Sequence, residues 1–262
     1  METNRRGFIK VAGLATLGLV IAKPITDIFA RGQSGKASTS ALTPAHTTTR
    51  WGMAVNLDAC SEADGCTECI DACHKYHNIP EIENKEEAIQ WIYKAPFEKV
   101  FPEHETEFIG GDKKDIPVML LCNHCANPPC IRVCPTSATF KREDGIVMMD
   151  FHRCIGCRYC MAGCPYGSRS FNWQDPVPFI KEKNPDYPTR TRGVVEKCNF
   201  CAKRLSEGLL PACVEACPEK ALTFGNLLDP DTEIREILKT QHILRRFPEL
   251  GTEPNVYYYT VD

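Results

Sequence analysis

Sixteen cysteines stand in this chain of 262 residues, and they fall into four groups of four with none left over. The groups are Cys60, Cys66, Cys69 and Cys73; Cys122, Cys125, Cys130 and Cys134; Cys154, Cys157, Cys160 and Cys164; and Cys198, Cys201, Cys213 and Cys217. Thiols at this density hold zinc, pair as disulfides or carry iron and sulfur. The third group, in "RCIGCRYCMAGCPYG" (153–167), runs C-x2-C-x2-C-x3-C-P, a spacing that delivers ligands to a 4Fe-4S cluster. Its first three thiolates lie within seven residues, so one tightly wound loop can offer three ligands to one cube. Tetrahedral zinc takes its ligands as separated pairs, and cysteines three apart bridge poorly. Structural zinc or a disulfide framework is therefore the remote alternative.

The other groups vary this pattern. "ANPP" separates Cys125 from Cys130, and "AKRLSEGLLPA" separates Cys201 from Cys213, each an insertion before the third ligand. Pro135, Pro165 and Pro218 fix the chain after the fourth cysteine of their groups. The first group departs, with His74 after Cys73 and five residues between Cys60 and Cys66. Gly156 and Gly163 are expected to permit positive φ and a close approach of backbone N–H groups to the sulfides. In two-cluster ferredoxins the fourth cysteine of a run serves the other cluster, so the groups must pair, though spacing alone leaves the partners open.

These stretches, together with "GCTECIDACHKYHNIP", "LCNHCANPPCIRVCPTSATFKREDGIVMMD", "GVVEKCNFCAKRLSEGLLPACVEACPEKAL" and the tail "PELGTEPNVYYY", resemble the four-cluster, ferredoxin-like electron-transfer subunits of membrane-bound respiratory oxidoreductases. Within that family the chain looks most like the exported DsrO subunits of DsrMKJOP complexes of sulfate and sulfite reducers. The resemblance implies an α+β fold of two ferredoxin-like units, the second inserted within the first, with long loops and a C-terminal helix and tail. Residues 51–117 and 190–262 would form the outer unit and 118–189 the inserted one. It implies four 4Fe-4S clusters, held by Cys60, Cys66, Cys69 and Cys217; by Cys198, Cys201, Cys213 and Cys73; by Cys122, Cys125, Cys130 and Cys164; and by Cys154, Cys157, Cys160 and Cys134. The implied role is to relay electrons between an integral membrane quinone-interacting subunit and a multihaem cytochrome c or catalytic partner. The implied attachment to the membrane is peripheral, through partners. A subunit serving a molybdenum-containing reductase is the alternative.

Several elements must position these ligands. "IPVMLL" (116–121) and "GIVMMD" (145–150) read as strands, and "PPCIRVCP" and "RYCMAGCP" as short helices between ligands. "DPDTEIREIL" reads as a helix capped at Asp229 with Pro230 at its first position and Ile234, Ile237 and Leu238 on one face. The segment "EEAIQWIYKAPFEKVFPEHETEF" suggests a helix and a packed loop whose Trp91, Phe97, Phe101 and Phe108 form a second small core, or else a partner surface. The proline-rich stretch 172–193 is long for a loop and is either a docking segment or a surface excursion. Arg158 and Arg169 are candidates to offset cluster charge or to stand in solvent. His74, His77, His124 and His152, each beside a full cysteine quartet, are expected at the surface or in hydrogen bonds rather than as ligands.

The N-terminus carries a different message. "NRRGFIK" (4–10) precedes the apolar run "VAGLATLGLVIA" (11–22), an export signal whose paired Arg5 and Arg6 resemble the twin-arginine type. The run is twelve residues long, against the roughly 20 that a membrane-spanning helix needs. An uncleaved anchor is the alternative to cleavage near Phe29-Ala30-Arg31. Residues 1–31 are thus expected to be a signal, 32–50 a linker, and the protein periplasmic or on the extracytoplasmic membrane face. Export of an already folded chain lets clusters be inserted in the reducing cytoplasm. Beyond residue 50 there remain 24 of the 31 basic and 32 of the 34 acidic residues, an excess of eight negative charges that argues against nucleic acid. No nucleophile and base pair or phosphate-binding glycine loop stands out, so the chain is expected to be an electron carrier and not an enzyme.

Overall fold

The computed structural model describes residues 49–62, 65–104 and 116–260. The expected signal, nearly all of the expected linker and Phe108 lie outside these residues. The elements are β1 (Trp51–Asn56), α1 (Leu57–Glu62), α2 (Glu68–His77), β2 (Ile92–Pro96), α3 (Phe97–Val100), β3 (Pro117–Leu121), α4 (Pro129–Arg132), β4 (Thr139–Lys141), β5 (Val147–Met149), α5 (Tyr159–Ala162), β6 (Ser170–Phe171), β7 (Val195–Glu196), α6 (Ala202–Ser206), α7 (Ala212–Glu215), β8 (Leu222–Asn226), α8 (Glu233–Thr240), β9 (His242–Leu244) and β10 (Val256–Thr260). This is a mixed helix and strand fold with short elements, set by the frequency with which cysteine turns interrupt the chain. Among the described residues, no helix is long and apolar enough to cross a membrane.

The largest sheet has the order β8-β1-β10-β9. β1 pairs antiparallel with β8 and parallel with β10, so the tail sequence "VYYYT" becomes an interior strand. Apolar alternation explains its place: Val256 and Tyr258 are fully buried and join Met53, Val55 and Leu222 in the main core. Gly52 and Gly225 face each other across β1 and β8. A Cβ at either would come within 3 Å of Leu227 or Ile234, so the bare glycines make room for the layer above the sheet. That layer includes α8, whose Ile234, Ile237 and Leu238 pack with Ala54, Leu227 and Tyr259. The helix begins later than expected, at Glu233 with Thr232 as its cap. Asp229 instead accepts the Asp231 N–H in a turn, with Pro230 inside that turn.

β2 and β3 form a hairpin-like pair, Ile92 opposite Leu121 through Pro96 opposite Pro117. The helix expected near Trp91 is thus a strand followed by one helical turn, because Ile92, Tyr93 and Ala95 find partners on β3 that local periodicity does not reveal. Among the described residues of this segment there is no second core: Trp91 and Phe101 are buried in the main one, and Phe97 packs against it. A smaller core does exist elsewhere, around Cys130, Ala138, Val147, Met149, Cys160 and Val195. β5 supplies two of those six residues, Val147 and Met149, and Ala138 stands just before β4.

Candidate metal centres

One local design recurs at each cysteine group. The third cysteine of groups two, three and four, and Cys69 of group one, stands second in a helix: Cys130 in α4, Cys160 in α5, Cys213 in α7 and Cys69 in α2. Before it, the third residue of the C-x2-C run takes positive φ, at His124 (41°), Gly156 (70°) and Phe200 (52°). After the fourth cysteine, Ser137, Gly167 and Lys220 also take positive φ, and each donates its N–H to the carbonyl of Cys134, Cys164 or Cys217. The chain therefore winds so that successive thiols face one volume. Gly156 has a further reason to lack a side chain, since a Cβ there would meet the Gly193 carbonyl at 2.4 Å. Gly163 does not use positive φ: it caps α5 at φ −80° and lies where a Cβ would press on Val133 at 3.2 Å.

Thiols from distant groups meet. Cys60, Cys66, Cys69 and Cys217 line one small cavity with Lys94, Met119 and Leu222. Cys122, Cys125, Cys130 and Cys164 line another with Asn123, Tyr166 and Arg169. Cys73 interacts electrostatically with Cys198, Cys201 and Cys213. Cys134 and Cys154 pack against the small core that holds Cys160, while Cys157 is exposed. Helix packing follows the same pattern, α2 on α7 and α4 on α5.

These thiols are hard to ionise alone. Burial pushes Cys69 up to about 11, with Cys60, Cys217 and Cys66 adding repulsion. It pushes Cys125 and Cys198 up to about 12 and Cys201 to about 11, and it holds Cys73 and Cys213 well above the ordinary value. A group of mutually repelling thiolates in a dry cavity requires a cationic centre among them. Among the described residues no three Cys, His, Asp or Glu side chains converge closely enough to hold a single metal ion. They surround small volumes instead, which suits a cube with a metal at several corners.

Donors complete the fit. Phe200 N–H points to Cys198 Sγ at 3.5 Å, Ala212 N–H to Cys201 Sγ at 3.4 Å and Ala221 N–H to Cys217 Sγ at 3.3 Å. At Cys134, burial raises the thiol pKa, but hydrogen bonds from Thr139, Thr136 and Ala138 outweigh it and lower the value. Asn123 is 2% exposed, and neither polar atom of its side chain has a partner in the protein, nor has Arg169 Nη2. Both residues line the cavity of Cys122, Cys125, Cys130 and Cys164, so the orphaned donors Asn123 Nδ2 and Arg169 Nη2 match an anionic occupant.

A family model described as a 4Fe-4S dicluster domain matches residues 117–179 and 183–227. The chain is also 40% identical to the Hdr-like menaquinol oxidoreductase iron-sulfur subunit 1 of Archaeoglobus fulgidus, over 97% of each chain. It belongs to this family of 4Fe-4S iron–sulfur subunits. This iron–sulfur subunit is 39% identical to the menaquinone reductase iron-sulfur cluster-binding subunit of Nitratidesulfovibrio vulgaris, over 80% of its own length and 88% of the relative's. It is 36% identical to the arsenate respiratory reductase subunit ArrB of a Shewanella species, over 80% of its own length and 95% of the relative's. The subunit transfers electrons within an oxidoreductase and does not carry out substrate chemistry.

The accessory residues divide. Arg169 is buried, donates to Thr139 Oγ1 at 3.2 Å and lies among Cys130, Cys160 and Cys122. Burial opposes its charge, but those cysteines outweigh it and hold the guanidinium more firmly protonated. Arg158 is exposed and lies over Phe171 and Trp173. His74 is half-buried and His152 exposed, whereas His77 and His124 are not surface residues. His124 Nδ1 accepts the Val147 N–H at 3.0 Å and its ring stacks on Phe200. His77 places Nε2 3.2 Å from Cys201 Sγ; burial, then Arg190 and Arg204, lower its pKa to about 3, so it is neutral at physiological pH.

One buried polar cluster has no signature in residue spacing. Glu196 and Arg190 form a fully buried ion pair at 2.7 Å, and Trp91 Nε1 and Asn172 Nδ2 donate to the same carboxylate at 3.0 and 2.5 Å. Arg190 also fixes the 172–193 stretch to the end of α2, donating to the carbonyls of His77 and Asn78. Asn78, the left-handed cap of α2, exchanges hydrogen bonds with Asn184 and donates to the Tyr187 carbonyl. The stretch is thus an internal strap across the helix that bears Cys69 and Cys73.

Proposed function

We propose that this subunit relays electrons through four 4Fe-4S clusters, each ligated by three cysteines of one group and one of another. The ligand sets are Cys60, Cys66, Cys69 and Cys217; Cys198, Cys201, Cys213 and Cys73; Cys122, Cys125, Cys130 and Cys164; and Cys154, Cys157, Cys160 and Cys134. The observation that carries the reading is the pair of cavities in which a fourth thiol, Cys217 or Cys164, joins three from a distant group. It favours two ferredoxin-like units, groups two and three inserted between one and four. Each bound cluster would accept and return one electron. The protein's part is to supply thiolates, aim N–H donors at sulfur, keep water out and place Arg169 and Lys94 beside the anionic sites.

Lys94 Nζ donates to the Cys66 carbonyl at 2.6 Å and faces the first cavity. Cys122 stands near enough to Cys198 for its charge to oppose ionisation there, so the inner sites of the two proposed units are neighbours. The external partners are a quinone-interacting membrane subunit at one end and a multihaem cytochrome c or catalytic subunit at the other, in a DsrMKJOP-type complex. The names of the Archaeoglobus and Nitratidesulfovibrio relatives, both involving menaquinone chemistry, support the quinone link. The ArrB relative supports a second reading, a subunit serving a molybdenum-containing reductase. The Arg5-Arg6 signal supports export of the folded chain to the periplasmic face. Anaerobic purification from membranes tests the whole reading: about sixteen irons per chain and a copurifying membrane subunit and cytochrome are expected. A partnerless chain with about eight irons would overturn it, and a copurifying molybdenum subunit would select the second reading.

A further inference from the structure

We propose that His77 sets the reduction potential of the cluster assigned to Cys73, Cys198, Cys201 and Cys213 by donating its Nε2–H to the Cys201 sulfur. Three buried residues form a stripe along α2, Cys69, Cys73 and His77, spaced by four so that they share one face. Cys69 lines the first cavity, Cys73 stands with group four, and His77 reaches group four from the next turn, with Nε2 3.2 Å from Cys201 Sγ. A metal-bound thiolate can only accept, so the proton belongs on Nε2. Nδ1, buried and without a partner in the protein, is then the unprotonated nitrogen.

The ring is held from every side. Trp91 packs at 4.5 Å, and the edges of Tyr187 and Tyr76 approach at 4.5 and 4.8 Å. Trp91 and Arg190 share the Glu196 carboxylate, and Arg190 grips the His77 carbonyl, so the same buried anion anchors both the ring's neighbour and its backbone. Such bracing exceeds what filling a core requires and fixes a donor direction. A donor to a ligand sulfur stabilises the more negative, reduced cluster and raises its potential. His77 is therefore a positioning and tuning residue, and no ligand.

The inference rests on the four-cluster reading, and its test separates the two. In the intact complex, His77→Phe keeps an aromatic ring in the cage and removes the donor. Redox titration followed by electron paramagnetic resonance should show one cluster lowered, its oxidised-to-reduced ratio at fixed potential changed about tenfold, equivalent to about 59 mV for one electron, with the others unmoved. His77→Gln, which keeps an N–H, should restore part of the shift. In the unaltered complex, 15N-histidine labelling should give a nitrogen coupling to one reduced cluster. That last measurement decides the matter even if the Phe variant loses iron. Four clusters with no histidine coupling, or with potentials unmoved by His77→Phe, would overturn the role of His77 alone. Fewer than four clusters in the unaltered complex would overturn the four-cluster reading itself.

Discussion

Glu196 and Arg190 show how much a single buried residue can hold. Neutralising one partner leaves the other charge unpaired in a dry site, so Glu196→Gln should cost about 3–5 kcal/mol and lower the unfolding midpoint in thermal denaturation of the iron-loaded protein. Arg169→Met should remove the positive charge beside Cys130, Cys160 and Cys122 and shift the clusters of groups two and three to more negative potentials, read by redox titration. The sequence offered Arg158 and Arg169 as equivalent candidates. Only packing separates them, because Thr139 and Met149, which enclose Arg169, come from a β-pair 30 and 20 positions upstream. The thiols themselves were legible because their chemistry requires close local spacing. His77 was not, since its partner Cys201 is 124 residues away.

At the scale of elements, the cysteine turns repeat as backbone conformations more faithfully than as residue types. Glycine marks the positive φ of group three, but His124 and Phe200 adopt it in groups two and four without that signature. Gly156→Ala should therefore be far worse than a helix-propensity change: the methyl meets a carbonyl at 2.4 Å, and iron content should fall as the loop is forced open. The strap is testable too. Deleting Pro178–Pro188 removes the Asn184 and Tyr187 partners of Asn78, and the expected outcome is a lower unfolding midpoint with reduced iron at the sites served by α2. Ile234→Ala at the clasp of α8, which the periodicity identified correctly, should cost about 2–5 kcal/mol while leaving the iron count intact. The periodicity missed β2 because a strand's identity lies in its partner, and β3 is more than twenty residues distant.

Across the whole molecule, the proposed clusters would act as cross-links between segments far apart in sequence, such as α2 and α7. Chelating the iron under reducing conditions should abolish cooperative unfolding, as monitored by circular dichroism, because the metal bonds that tie these segments together would be lost. Timing follows from the sheet. β1 is made early, yet one of its two neighbours, β10, spans Val256–Thr260 and runs parallel to it, and the other, β8, starts only at Leu222. β1 must therefore wait with both edges unpaired until those distant strands have been synthesised. The sheet closes only after the last cysteine, Cys217, has been made, so no ligand group is left to arrive once its frame is complete.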